Sequence, residues 1–154
     1  MTSELQILNQ LRKVIGEQLN DYLDADEENS GLLEEISEAN VIIDFPDIDN
    51  MPKNTTIYIQ PDYEEVEDLS MITDFTRMRL LIYIICKGAK SATLIKKVFG
   101  YYTALFMLIR NNQTLDGMVE FSKINSMDYY PSVTASSTMS AVEVGAEVQW
   151  AKTF

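Results

Sequence analysis

The side chains best suited to chemistry in this chain are carboxylates. Five oxygen-bearing residues have the spacing of positions 1, 3, 5, 7 and 12 of an EF-hand calcium loop; they are Asp24, Asp26, Glu28, Ser30 and Glu35. Asn29 stands where that loop requires glycine, and the sequence that follows has weak helical character. The pattern therefore favours a solvated acidic loop over a calcium site.

The sequence offers few of the residue types on which enzymes rely. Histidine is absent and Cys86 is the single cysteine, which removes Ser-His and Cys-His pairs, histidine ligands and thiolate zinc sites. The six glycines are scattered and form no phosphate-binding loop. A carboxylate enzyme is an alternative, but tuned carboxylates are usually few and set in apolar surroundings, whereas these crowd into predicted loops. We predict no catalytic, cofactor-binding or metal-binding residues, no cofactor, and a buried, unreactive Cys86.

Acidic and basic residues occupy separate parts of the chain. Of its 24 acidic residues, 16 lie between Asp21 and Asp68, whereas residues 75–115 contain none and carry seven Lys or Arg. A dipolar subunit has a preferred way to meet copies of itself, so this partition favours self-assembly. The candidate basic face between subunits consists of Arg77, Arg79, Lys90, Lys96 and Lys97. A solvated face and a nucleic-acid surface are the alternatives, although a pI of about 4.3 disfavours approach to phosphates.

Local patterns predict the elements that position these residues. Ser3 and Gln6 form a capping box before an apolar stripe that predicts a helix of about 20 residues. Residues 41–45 and 55–60 are predicted strands, the second of them stopped by Pro61.

The middle of the chain is predicted to continue with strand and helix. Residues 62–68 are expected to form an acidic connector, and residues 75–86 a long strand. A helical stripe begins at Ser91, and we expect it to end where Asn111 and Asn112 adopt the left-handed conformation.

The last part of the chain predicts two further strands, at residues 118–124 and 141–151, the second with strict alternation of apolar and other residues. A flexible, Ser/Thr-rich connection is expected at residues 131–140. Earlier in the chain, residues 24–40 are expected to be an acidic loop or insertion, with one weak turn at residues 32–36.

The order of these elements, α-β-β-β-α-β-β, predicts an α+β fold in which two helices pack on a mixed, mainly antiparallel sheet of four to five strands. We expect residues 1–154 to form one domain. The first residues lack the pattern of a signal sequence, and the longest apolar run, residues 80–86, is too short to cross a bilayer. The chain is therefore expected to stay in the compartment where it is made, without a membrane partner.

This layout resembles that of the tail terminator, or tail completion, proteins of long-tailed bacteriophages and prophages. The resemblance covers most of the chain: the amphipathic first helix, the strand group, the second helix with its polar turn at residues 111–117, and the alternating strand at residues 141–150. It rests on layout and includes no catalytic signature.

The resemblance implies a non-enzymatic structural protein that forms a ring, commonly a hexamer, which caps the tail tube, stops its polymerisation and joins it to the head or neck. The implied partners are copies of the chain itself, the tail tube protein, a head or neck completion protein, and genomic DNA that passes through without specific binding. The implied locations are the host bacterial cytoplasm during assembly and the virion tail. The candidate acidic loop at the lumen or an axial end consists of Asp62, Glu64, Glu65, Glu67 and Asp68.

Two alternatives stay open at this point. One is another neck or tail-tube component of the same particle, which should polymerise into long tubes if it is a tube protein. The other is an acidic DNA-mimicking inhibitor that uses the carboxylates of residues 21–68 to bind a basic protein. The seven cations of residues 75–115 count against the inhibitor.

Overall fold

The computed structural model describes residues 1–29, 31–131 and 138–153. Its helices and strands follow the predicted order and confirm the α+β class. The elements are α1 (Glu4–Gln18), β1 (Val41–Ile43), β2 (Thr55–Asp68), β3 (Thr73–Gly88), α2 (Ser91–Asn111), β4 (Phe121–Pro131) and β5 (Thr138–Thr153).

The five strands form one sheet in the order β1-β2-β3-β5-β4. Only β1 runs parallel to its neighbour, and the other three pairs are antiparallel. The prediction of a mixed, mainly antiparallel sheet is therefore confirmed. The longest strands, β3 and β5, lie side by side at its centre and are paired along their whole length.

The first helix begins as predicted, with Ser3 and Gln6 in a reciprocal capping box. Its α-helical part ends at Gln18, earlier than predicted, and a 3₁₀ turn continues from Leu19 to Tyr22. Acidic residues follow closely and oppose the helix dipole, which accounts for the early change of helix type.

The prediction that Pro61 ends the second strand is wrong. β2 passes through Pro61 with a bulge between Pro61 and Tyr63 and pairs with β3 as far as Asp68. A proline is tolerated here because β1 covers only Ile57–Ile59, so the rest of β2 is an edge where a missing N–H need not break a ladder. Residues 62–68 are therefore strand, not a connector.

The end of α2 also differs from the prediction. Asn112 has a φ of −139° and donates its N–H to the carbonyl oxygens of Leu108 and Ile109, so it is not left-handed. The positive φ angles fall later in the turn, at Leu115, Asp116 and Gly117.

The last two strands are longer than predicted. β4 begins at Phe121 and runs to Pro131, and β5 begins at Thr138. The predicted flexible connection at residues 131–140 is thus strand at both of its ends, and its residues 132–137 lie outside the described residues.

Both helices lie on one face of the sheet and enclose the main core with it. Alternate residues of β5 supply one side of that core, ending at Trp150. α2 is long and apolar enough to cross a bilayer by length and composition. In this fold eight of its residues are buried, which accounts for its apolar face.

The acidic segment of residues 24–40 is tied to the body of the protein more closely than a solvated loop. The Asn20 side chain bonds both the N–H and the carbonyl of Ile36, at 2.8 Å each, and the Tyr101 hydroxyl donates to the carbonyl of Glu34 at 2.7 Å. The 3₁₀ turns fall at Glu27–Asn29 and Glu38–Asn40 rather than at residues 32–36. The backbone at Glu34 and Ile36 is therefore held to the core, while most carboxylates among the described residues of this segment face solvent.

Candidate functional site

The calcium-loop pattern does not assemble into a cation site among the described residues. The two carboxylate oxygens of Asp26 accept hydrogen bonds from the Glu28 N–H and the Asn29 side-chain amide, at 3.1 Å each. Ser30 lies outside the described residues. Within the described ranges, no group of three or more Asp, Glu or Cys residues could hold a metal ion.

Cys86 is buried at 1% exposure, as predicted, with its Sγ 3.7 Å from the Thr55 hydroxyl oxygen. Burial raises the pKa of Cys86 to about 11. The thiol therefore stays protonated and inert at neutral pH.

We expect a thiol-reactive dye at pH 8 to label Cys86 in the native protein about 100-fold more slowly than in the urea-unfolded chain. The unfolded thiol has its ordinary pKa near 9, so it loses its proton before the native thiol as the pH rises. The stability of the fold should therefore fall between about pH 9 and pH 11. An Asn125→Cys variant, at an exposed position of β4, provides the fast-labelling control. Equal labelling of native and unfolded Cys86 would contradict the burial.

The most distinctive surface is the outer half of the β2–β3 pair, which we call the distal hairpin (residues 62–79). Its outer strand is an edge, because β1 pairs with β2 only at Ile57–Ile59. The five carboxylates predicted as an acidic loop all lie on this edge and are exposed. They are Asp62, Glu64, Glu65, Glu67 and Asp68.

On the sheet face away from the helices, the distal hairpin carries two arginines beside these acids. Arg77 lies directly across from Glu65, and Arg79 directly across from Tyr63. Arg79 donates to the Tyr63 hydroxyl at 3.3 Å, and its Cζ lies 5.6 Å from the centre of that ring. Two residues of the predicted basic face thus lie next to acidic residues of the same chain.

On the helix side, carboxylates of the distal hairpin gather around Lys152. Its Nζ contacts Glu4, and this hydrogen bond lowers the pKa of Glu4. Burial, then repulsion from Glu4, raises the pKa of Glu64. Across the hairpin, a hydrogen bond that the protonated Asp74 donates to Asp68 raises the pKa of Asp74. Several like charges are therefore held together on the helix side of the distal hairpin.

The turn of the distal hairpin is apolar and exposed. Leu69 and Ile72 are each 57% exposed and Met71 is fully exposed. Ser70 orders the turn: its hydroxyl oxygen accepts from the N–H groups of Ile72 and Thr73, at 3.3 and 3.1 Å. We call residues 69–72 the hairpin tip. The tip was not predicted from the sequence, although three apolar residues lie between Asp68 and Asp74.

At the opposite end of β3, the start of α2 borders a cleft of about 220 Å³, which we call the lysine cleft. Ala89 contributes exposed apolar surface, whereas Leu94 is only 3% exposed. Its lining residues are Lys87, Gly88, Ala89, Lys90, Thr93, Leu94 and Lys97.

The lysines around this cleft differ in how they are engaged within the chain. Lys87 donates to the carbonyl of Ile48. Lys97 lies 3.9 Å from Glu34 and is 22% exposed. Lys90 and Lys96 are exposed and form no salt bridge within the described part of the chain.

The predicted basic face is therefore divided into two groups. Arg77 and Arg79 lie on the sheet face away from the helices, because their neighbours Met78 and Leu80 point into the helix-covered core. Lys90, Lys96 and Lys97 lie on the other side of the sheet, at the beginning of α2. The two groups are separated because side chains alternate between the two faces along β3 and because α2 packs on only one of these faces. The order of charges in the sequence did not reveal this separation.

Comparisons with known proteins find structural likeness but no likeness in sequence. No protein-family model matches the chain, and no curated protein matches it by sequence. Among solved structures, the chain is similar to one from the virion of a native gene transfer agent (GTA) particle, with 12% identity and a TM-score of 0.39. The match covers 85% of this chain and 90% of that one. At this TM-score the likeness carries no conclusion about function.

Proposed function

We propose that this chain is a non-enzymatic structural protein of a phage or prophage tail, which forms a ring that caps the tail tube, ends its polymerisation and joins it to the head or neck. The sequence layout supports the proposal through its resemblance to tail terminators. The surfaces of the described residues support it because their prominent features suit contact between proteins rather than chemistry.

The observation that carries the proposal is the acidic edge of β2. An open strand edge invites another strand to pair with it, and natural sheets prevent this with charges, prolines and bulges. The edge of β2 has all three: five exposed carboxylates, Pro61 and an adjacent bulge. A subunit that ends a polymer needs such a surface, because it must bind on one side and refuse addition on the other.

The same carboxylates suit the position beside passing DNA. Like charges repel DNA phosphates over about a Debye length, roughly 8–10 Å at physiological salt, so DNA would slide past without binding. We therefore place Asp62, Glu64, Glu65, Glu67 and Asp68 at the lumen or an axial end of the ring. Their exposure in the chain leaves them available for that role.

Native mass spectrometry and negative-stain microscopy of the purified protein, at low and high salt, test the proposal. We expect a closed ring with a single stoichiometry, and we expect this ring to dissociate as salt screens the charges. Long tubes would instead identify a tail-tube component. A stable monomer or dimer that captures a basic protein would identify a DNA mimic. Either outcome overturns the terminator proposal.

A charge-neutral edge tests the mechanism more directly. We expect the Glu65→Gln/Glu67→Gln variant to associate beyond the ring into larger assemblies, because the edge loses the repulsion that blocks strand pairing. The matched control is Asp24→Asn/Glu28→Gln, which removes the same charge from the exposed acidic segment of residues 24–40. If both variants behave like the unmodified protein, the acidic edge does not limit assembly.

A further inference from the structure

We propose that the hairpin tip of one copy docks into the lysine cleft of the next copy, so that the ring is built from a repeated head-to-tail contact. This inference rests on the proposed function, since it names the contact by which the ring forms. It assigns a partner to two exposed surfaces, and that partner is a second copy of this chain.

The two surfaces cannot meet within one copy. The tip precedes β3 at Thr73, and the cleft begins where β3 ends, at Gly88. The 16 residues of this strand extend over roughly 50 Å at about 3.3 Å per residue. Tip and cleft therefore lie at opposite ends of the longest axis of the sheet, and any contact between them joins different molecules.

The two surfaces are complementary in charge and in apolar character. The tip presents Leu69, Met71 and Ile72 between the carboxylates of Asp68 and Asp74. The cleft presents the opposite arrangement, with the exposed Ala89 inside a rim of lysines. An apolar centre surrounded by paired charges is the usual anatomy of a specific interface.

Within the cleft, Lys90 is best placed to meet the carboxylates of the tip. Lys87 and Lys97 already contact Ile48 and Glu34 of their own chain. Lys90 lines the cleft, and Lys96 lies nearby on the exposed side of α2. The expected inter-subunit pairs therefore join Lys90 and Lys96 to Asp68 or Asp74 of the next copy.

A contact of this kind uses a different surface on each partner, so it repeats until the chain of subunits closes or continues as a filament. A tip of four residues is much smaller than the roughly 800 Å² that each partner contributes to a standard interface. One contact alone is therefore weak. Ring closure gives every subunit two such contacts and stabilises the closed form over open chains.

Disulfide trapping between two variants, each with one added cysteine, tests the contact. We expect an equal mixture of Met71→Cys and Ala89→Cys to yield the mixed disulfide on mild oxidation, identified by mass spectrometry of the linked peptides. The control mixture pairs Met71→Cys with Asn125→Cys, which is exposed on β4. The native Cys86 is buried and should not react. Mixed disulfide no more abundant than in the control overturns the inference.

Charge exchange tests the same contact without oxidation. We expect Lys90→Glu/Lys96→Glu and Asp68→Lys/Asp74→Lys each to weaken association at low salt roughly tenfold or more, and a mixture of the two variants to regain it as alternating subunits. If the ring persists in both variants and the tip-to-cleft disulfide does not form, the contact is wrong but the proposed function is kept. If the disulfide forms but no closed ring is found, the contact is kept and the proposed function is wrong. No recovery in the mixture also counts against the contact.

Discussion

Replacement of Trp150 by alanine should lower the free energy of unfolding by about 3–5 kcal/mol, the usual cost of removing a large buried aromatic side chain. Trp150 is 2% exposed on β5, directly across from Thr76 of the distal hairpin. Its Nε1 also donates to the carbonyl of Thr2 at 3.1 Å, which holds the chain just before α1. Urea unfolding followed by circular dichroism measures the loss.

The matched substitution Trp150→Phe separates packing from the hydrogen bond. It keeps much of the apolar volume but leaves the Thr2 carbonyl without its donor, so its cost should be clearly smaller than that of alanine. If alanine and phenylalanine cost the same, the bond to Thr2 and not the packing dominates. A cost below about 1 kcal/mol for alanine would contradict the burial of Trp150.

The second large effect is expected at Gly16, in the interior of α1. Alanine would ordinarily favour a helix by about 1 kcal/mol over glycine. Here an added Cβ would lie 2.7 Å from the backbone nitrogen of Glu38 and 2.8 Å from its Cα. Backbone atoms in a 3₁₀ turn cannot move aside easily, so Gly16→Ala should destabilise the fold by about 1–3 kcal/mol.

Gly100→Ala is the control, because it makes the same change inside α2. Its added Cβ would meet the two Cδ atoms of Leu33, at 2.9 and 3.1 Å, and the Asn29 amide nitrogen at 3.2 Å. These are ends of side chains that can rotate. We expect a smaller loss than at Gly16, measured as the difference in urea midpoint. Equal losses at both glycines would show that the Glu38 backbone yields as readily as a side chain.

The acidic residues between Asp21 and Asp68 include two groups that differ in structure. Residues 24–40 are held to the core by Asn20 and Tyr101, whereas residues 62–68 form an exposed strand edge. The described residues of the first part are attached on the helix side of the sheet. The second part is the edge that we propose to limit assembly, and it leads into the hairpin tip that we propose to dock into the next copy.

Composition limited the kinds of chemistry that could be expected of the site. The absence of histidine and the single cysteine of the sequence left carboxylates as the main candidates. The exposure of five of them on one edge could not be predicted, because it depends on how far β1 covers β2. The hairpin tip escaped notice for the same reason, since a connector was expected there in place of a strand.

The sequence by itself determined the types of element and their order. The 3.6-residue and two-residue periodicities are local properties, set by which side chains must face a core. The capping box at Ser3 is equally local, and the structure contains it as predicted. For the same reason the alternating residues of β5 were recognisable without any knowledge of the neighbouring strands.

Only the tertiary structure decided the sheet order, the length of β2 and the separation of the basic residues. Each depends on pairing between strands that are distant in sequence, such as β3 with β5. Local signals at Pro61 favoured a strand end, but continuous pairing with β3 outweighed them because that proline lies on a free edge. The same pairing places the hairpin tip and the lysine cleft at opposite ends of one strand, which is the arrangement that the proposed ring contact requires.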